Sequence, residues 1–218
     1  MKISGKIRKI SLVLAMFLFM TSCGILEQAT EMYNLTRCEF KLNTLEDVHL
    51  AGVYIQNYYQ FSDLNFSDAL KLTNAFLSKN LPLDFTLNIA TKNPNREKAA
   101  LNKLQWILYI DDIEMTRGTT NKRIEIPPNG GVSNLPLHLN IELFNALSGE
   151  SKDAILNFGF NLAGQGNKPT RITVKAKPSV YVSGREINYP GYITIENEFT
   201  SGGQSGGSKS GGGGTIRL

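Results

Sequence analysis

Side chains able to do chemistry are sparse in this 218-residue chain. It has two histidines, His49 and His138, and two cysteines, Cys23 and Cys38. Zinc takes three or four protein ligands, and one free thiol with two distant histidines does not supply them. Each histidine occupies a polar position in an alternating segment, the place of an exposed strand residue. Asp111, Asp112 and Glu114 cluster after a strand, and the pair at 111 and 114 could hold calcium weakly. The EF-hand spacing and its glycine are absent, however, and a solvated hairpin loop accounts for the cluster. No G-x-S-x-G, P-loop or H-E-x-x-H pattern occurs. The glycines between 202 and 214 lack the strand-to-helix context of a phosphate-binding loop. The expectation is a protein with no catalytic residues, no metal, no cofactor and no small-molecule substrate.

Cys23 belongs to a different chemistry. The chain opens with Lys2, Lys6, Arg8 and Lys9 and no acid, then runs apolar from Ile10 to Met20. That run is short of the roughly 20 residues that a membrane-spanning helix needs. A basic start, a short apolar stretch and then small residues read as a secretory signal peptide over 1–22. Thr21-Ser22-Cys23-Gly24 resembles a bacterial lipobox, in which the cysteine is acylated and becomes the first residue of the mature chain. Two or more acyl chains, at about 0.8 kcal/mol per buried CH₂, give stable anchoring where one does not. Cys23 is therefore expected to attach the protein to the membrane of the bacterial cell envelope, with the periplasmic face of the outer membrane as the expected site.

Processing also removes the charge imbalance. The chain has 23 Lys+Arg against 19 Asp+Glu, a net +4 with a pI near 9.0. The four cations before Cys23 have no acid among them, so the mature chain is neutral. Excess basicity would be the footprint of nucleic-acid binding, and here it leaves with the signal peptide. No nucleic-acid partner is expected. Cys38, heading CEFKL, is left without a partner for an internal disulfide and reads as a small buried hydrophobe.

Period-two alternation dominates the interior, which is the strand period. Leu83, Phe85, Leu87 and Ile89 alternate with Asp84, Thr86 and Asn88. Leu104, Trp106, Leu108 and Ile110 share a face, which predicts a largely buried Trp106. Leu135, Leu137, Leu139, Ile141 and Leu143 alternate with His138, Asn140 and Glu142. RITVKAK, SVYVSG and GYITIENEF add two or three strands, and CEFKLNTL with DVHLAGVYI one or two more. Helices are expected over NFSDALKLTNAFLSK and GESKDAILNFGFNLAG. The first has Ser67 as N-cap and Ala69, Leu70, Thr73, Phe76 and Leu77 inward. The second has Ser151 as cap and Ala154, Ile155, Phe158 and Leu162 inward. Many short strands with turns between them imply an antiparallel β-sandwich, immunoglobulin or fibronectin III-like, with one or two added helices. Residues 23–36 read as a lipid-proximal tether with a short helix over ILEQATEMY. The domain covers 37–200, and 201–218 is a Gly/Ser-rich flexible tail.

Two segments are candidate contact sites for another protein. YIQNYYQF lies between a strand and a helix, and Tyr54, Tyr58, Tyr59 and Phe61 could present aromatics at the surface. Beyond the glycines, Thr215-Ile216-Arg217-Leu218 alternates, and Ile216 and Leu218 have the form of a peptide that adds to a sheet edge.

DFTLNIATKNPN raises a separate question, because an alternating strand ends abruptly on Asn93-Pro94-Asn95. Pro94 fixes its own φ and keeps Asn93 extended, so the chain must turn there. Asn95 can bond its own backbone or cap a first turn over 96–99. That motif, followed by LQWILYID, a turn at Gly118, a strand closed by IPPNGG and then LPLHLNIELF, is similar to the LEA type 2 domain. That family includes the domain named for water stress and hypersensitive response. The match covers residues 81 to 144 and, more loosely, 170 to 199. The resemblance implies a fibronectin- or immunoglobulin-like sandwich with no catalytic residues to carry over. It also implies a role in stress tolerance, protecting or binding other envelope proteins, with a module that holds one dedicated partner complex as the alternative. Cys23→Ala is expected to release the protein from the membrane fraction, and sedimentation of the variant with membranes after a high-salt wash would refute the anchor.

Overall fold

The computed structural model describes residues 23–148, 152–163, 170–182 and 184–199. The stretch 1–22 expected to be a signal peptide and the Gly/Ser-rich tail with Ile216 and Leu218 lie outside them, as does the expected cap Ser151. Helix α1 (Cys23–Leu35) leads into β1 (Glu39–Leu50), and β2 (Val53–Tyr54) folds back on it. After a short turn comes α2 (Phe66–Leu77), then β3 (Pro82–Asn93), β4 (Ala99–Leu101), β5 (Lys103–Ile110), β6 (Ile113–Thr120), β7 (Ile124–Ile126) and β8 (Gly131–Glu142). Two helices follow, α3 (Leu143–Ala146) and α4 (Lys152–Leu162), and the described chain ends on β9 (Thr170–Val182), β10 (Arg185–Asn188) and β11 (Ile193–Phe199).

These strands form an antiparallel β-sandwich with added helices. One sheet has the order β2-β1-β3-β8; the other runs β10-β9-β5-β6, with β11 also paired to β9. The alternating residues do what their period demands. Leu83, Phe85, Leu87 and Ile89 of β3, and Leu135, Leu137, Leu139 and Ile141 of β8, all face one core. On one side the sheets meet where the Asn197 side-chain amide donates to the Leu42 carbonyl at 2.8 Å, tying β11 to β1. Helix α4 packs near the end of β1 at Leu50, with Ile155, Leu156 and Phe160 buried. Gly159 permits this approach, since a Cβ there would stand 3.2 Å from Leu50 Cδ2. Ile155 and Leu162 are buried as expected and Phe158 packs partly on the core, while Ala154 is exposed and Leu156 and Phe160 join the core.

Other expectations are corrected by pairing. RITVKAK and SVYVSG are one strand, β9, interrupted only in what it pairs with. The Pro178 carbonyl accepts from Tyr189 N at 2.9 Å on the side where β11 stops at Ala176 and β10 begins at Ser179. A strand residue aims its N and C=O the same way, so the N–H that proline lacks falls in that gap and costs no ladder bond. Gly118 is not a turn. It sits within β6 opposite Trp106, and a Cβ on it would lie 2.4 Å from the indole. The turn is at Asp111-Asp112, both with positive φ (48° and 67°), the geometry of a two-residue hairpin. Trp106 is half-buried rather than enclosed, because it lies over Gly118 near the β6 edge of the sheet.

The Asn-Pro-Asn turn is a junction. Asn93 is fully buried, and its side-chain NH₂ donates to the carbonyls of Glu97 (2.9 Å) and Ile126 (3.1 Å). Its Oδ1 accepts from the Asn95 backbone N at 3.0 Å and from Asn95 Nδ2. Asn93, not Asn95, thus makes the turn that bonds two residues on, and the chain proceeds to β4 without the helical turn expected at 96–99. Asn95 Nδ2 also donates to the Asn34 carbonyl of α1 at 2.9 Å. Removing the Asn93 amide leaves several buried groups unpaired, each worth roughly 1–3 kcal/mol. Urea unfolding of Asn93→Ala should show a loss of about 3 kcal/mol, whereas Asn140→Ala, on the exposed sheet face, should change stability by under about 0.5 kcal/mol.

Candidate binding surface

The region after β2 is shaped by one cap. Asn65, not the expected Ser67, opens α2: its side chain accepts from Asp68 N at 2.9 Å. Asn65 Nδ2 also donates to the Tyr58 hydroxyl at 3.1 Å, and that hydroxyl donates to Asp68 at 3.2 Å. This network turns Tyr58 inward, and Phe61 packs partly on the core beside it. Of the four aromatics singled out in the sequence, Tyr54 and Tyr59 stay outside, Tyr59 at 71% exposure. Tyr54 lies 5.2 Å from the His49 ring.

The larger apolar surface is on α2 itself. Leu72 is its buried residue, and Phe76 meets Phe144 of α3 at 5.2 Å between ring centres. Docking through Leu72 and Phe76 turns the helix so that Phe66, Leu70 and Leu77 face solvent, 84%, 49% and 73% exposed. At 100° per residue these three positions fall within a stripe about 40° wide. Leu70 and Leu77 were expected inward, and Phe66 was not singled out. The signal was present, because the helix carries more large apolar residues than one buried face can use.

The histidines lie on the outer face of the first sheet. His49 Nδ1 donates to the Asp47 carbonyl at 2.8 Å, and His138 Nδ1 stands 3.0 Å from Thr86 Oγ1. With Asp47, Asp84 and Asn140, His138 borders a shallow groove of about 290 Å³. Among the described residues no three His, Cys, Asp or Glu side chains are placed to hold a metal. Asp111, Asp112 and Glu114 are engaged by arginines. Asp111 accepts from Arg171 N at 3.0 Å, Asp112 pairs with the Arg171 guanidinium, and Glu114 pairs with Arg117.

Cys23 is the first residue of α1. Its helix is no loose tether. Glu31, 2% exposed, is held by Arg123 at 2.9 Å and Lys98 at 3.2 Å, while Glu27 meets Lys98 at 2.7 Å. That contact with Lys98 lowers the Glu27 pKa and raises that of Lys98. Asn34 Nδ2 donates to the Lys98 carbonyl at 3.0 Å.

No protein-family profile matches the chain, and no curated protein matches it. Among solved structures it is similar to a crystal structure of a protein from Archaeoglobus fulgidus, at 15% identity, over 55% of this chain and 85% of that one, with a TM-score of 0.34. It is also similar to the solution structure of a protein described as late embryogenesis abundant (LEA), at 14% identity, over 89% and 87% of the two chains, with a TM-score of 0.31. At these scores the fold rests on the strand pairings themselves.

Cys38 is buried at the end of α1, its thiol donating to the Asn34 carbonyl at 3.4 Å. Burial, and secondarily the charge of Glu39, pushes its pKa from 9.0 up to about 11. The folded state therefore favours the neutral thiol, and that preference stabilises the fold fully below pH 9.0 and fades as pH rises toward about 11. Iodoacetamide at pH 8 should leave Cys38 of the folded chain unmodified and alkylate it readily in urea; rapid reaction in the folded chain would contradict its burial.

Proposed function

We propose that the chain is a lipid-anchored protein of the cell envelope that works by binding another protein rather than by catalysis. The observation that carries this reading is the stripe of Phe66, Leu70 and Leu77 on α2. Soluble proteins rarely leave large apolar side chains grouped on one face unless a partner covers them. Here the helix is held by a capped N-terminus and by Leu72 and Phe76, so the stripe is presented on a firm base. Tyr59 adds a further exposed ring just before the same helix.

In the LEA type 2-like form of this reading, the domain protects envelope proteins under stress and takes many clients. The second form is an assembly module that holds one dedicated partner complex at the membrane, and the firm seating of α2 favours it. Attachment through acylated Cys23 would keep either activity at the bilayer.

The triple variant Phe66→Glu, Leu70→Lys, Leu77→Lys should keep the thermal midpoint of the parent, since none of the three side chains is in the core. Captured from detergent-solubilised envelope, the parent should bring down protein that the variant does not. One stoichiometric partner indicates the dedicated module, and many substoichiometric ones the protective role. An identical set of captured proteins for parent and variant would refute the stripe as the contact.

A further inference from the structure

The two ends of the sandwich differ. Helix α2 is joined to the start of β3, whereas α1 packs on β4 and bonds to the turn after the last residue of β3. The twelve residues of β3 separate these ends by roughly 40 Å at about 3.3 Å per residue. Cys23 lies one helical turn before Glu27, which touches Lys98, so about 6 Å of helix rise separates the acylation point from the body of the domain. A lipid held there brings the α1 end down onto the bilayer surface.

The side chains at that end suit such a surface. Arg37, Lys41, Arg96, Lys122 and Arg185 are exposed. Among the described residues none of the five has a carboxylate within ion-pair distance, while Lys92, Lys98, Lys103 and Arg123 at the same end are paired. Glu97 is the one acid there in the same state, so positive charge is in excess. Tyr33, 56% exposed, lies under the Arg37 guanidinium at 4.9 Å. An amphipathic ring beside cations is the composition favoured at headgroup depth. At the α2 end Asp68 is paired with Lys71, and Asp63, Asp84 and Glu142 outnumber the exposed Lys79.

We infer that the α1 end of the sandwich is a docking surface for anionic lipid headgroups, contacted by Arg37, Lys41, Arg96, Lys122 and Arg185. The domain then stands upright on its membrane and directs α2 away from the lipid toward a protein partner. This deepens the proposed function and rests on acylation at Cys23. Each cation near an anionic surface adds attraction that falls off within a Debye length, so the docking is salt-sensitive while the anchor is not.

The test uses the acylated chain reconstituted into phosphatidylcholine vesicles with or without phosphatidylglycerol, both carrying a headgroup nitroxide quencher. A fluorophore is placed on Asn121→Cys at the α1 end or on Asn74→Cys on α2; Cys38 is protected by burial. With phosphatidylglycerol, the Asn121 probe should be quenched several-fold more than the Asn74 probe. High salt, or the triple change Arg37→Glu, Arg96→Glu, Lys122→Glu, should abolish the difference while the protein still floats with the vesicles. The milder pair Arg96→Gln, Lys122→Gln should reduce it partway. Flotation with equal quenching of both probes, or quenching indifferent to phosphatidylglycerol and salt, overturns the docking surface. Failure of the acylated chain to float with either vesicle refutes the anchor and this inference together.

Discussion

A single buried carboxamide, that of Asn93, organises one end of this molecule. It ends the longest run of paired backbone in the first sheet, donates to the carbonyls of Glu97 and Ile126, and accepts from Asn95. The backbone around it is used as well: Gly130 N donates to the Asn93 carbonyl and Asn129 N to that of Asn95, both at 2.7 Å. The Asn-Pro-Asn turn and the Pro-Pro-Asn-Gly turn are therefore one interlocked unit. Only a neutral group with two donors and an acceptor serves this position. Aspartate would bring an acceptor-only charge into a dry site, and leucine would orphan every partner.

Helix α1 joins the same unit through Asn34 and Asn95, and its second attachment is electrostatic. A carboxylate as buried as Glu31 is costly unless its lone pairs are met by cations and donors, and Arg123 and Lys98 meet them. Neither cation comes from a strand of the main sandwich. Arg123 precedes β7 and Lys98 precedes β4, so the small two-stranded sheet exists at the place where α1 needs partners. This arrangement packs α1 against the body of the domain from Glu27 onward.

The opposite end leaves one face of α2 open. Asn65 and Tyr58 hold the start of α2, and Phe144 receives Phe76, so the helix has one buried contact line and one open one. A β-sandwich is well suited to stand between two such ends. Its ladder bonds run across the strands, and its length is set by strand residues that only need to alternate.

The period-two residues of β3 and β8 were legible in the sequence because burial on one face repeats at every second position and needs no distant information. The expectation of a signal peptide and a lipobox at Cys23 rests on an equally local pattern, as do the turns at Asn93-Pro94-Asn95 and Pro127-Pro128-Asn129-Gly130. What only the tertiary structure decided is which face wins where more than one is apolar. On α2, Leu70 and Leu77 read inward together with Phe76 while Leu72 did not, and the choice was made by Phe144, 68 residues after Phe76 in sequence. Gly118 read as a turn, whereas it sits within β6 with Trp106 lying across it, and only the fold puts Gly159 against Leu50. Residues 23–36 read as a tether because the cations that seat Glu31 come from positions 98 and 123. Alternation along a strand is a property of the chain's own geometry, whereas the orientation of a helix and the fate of a buried charge depend on partners that folding alone brings within reach.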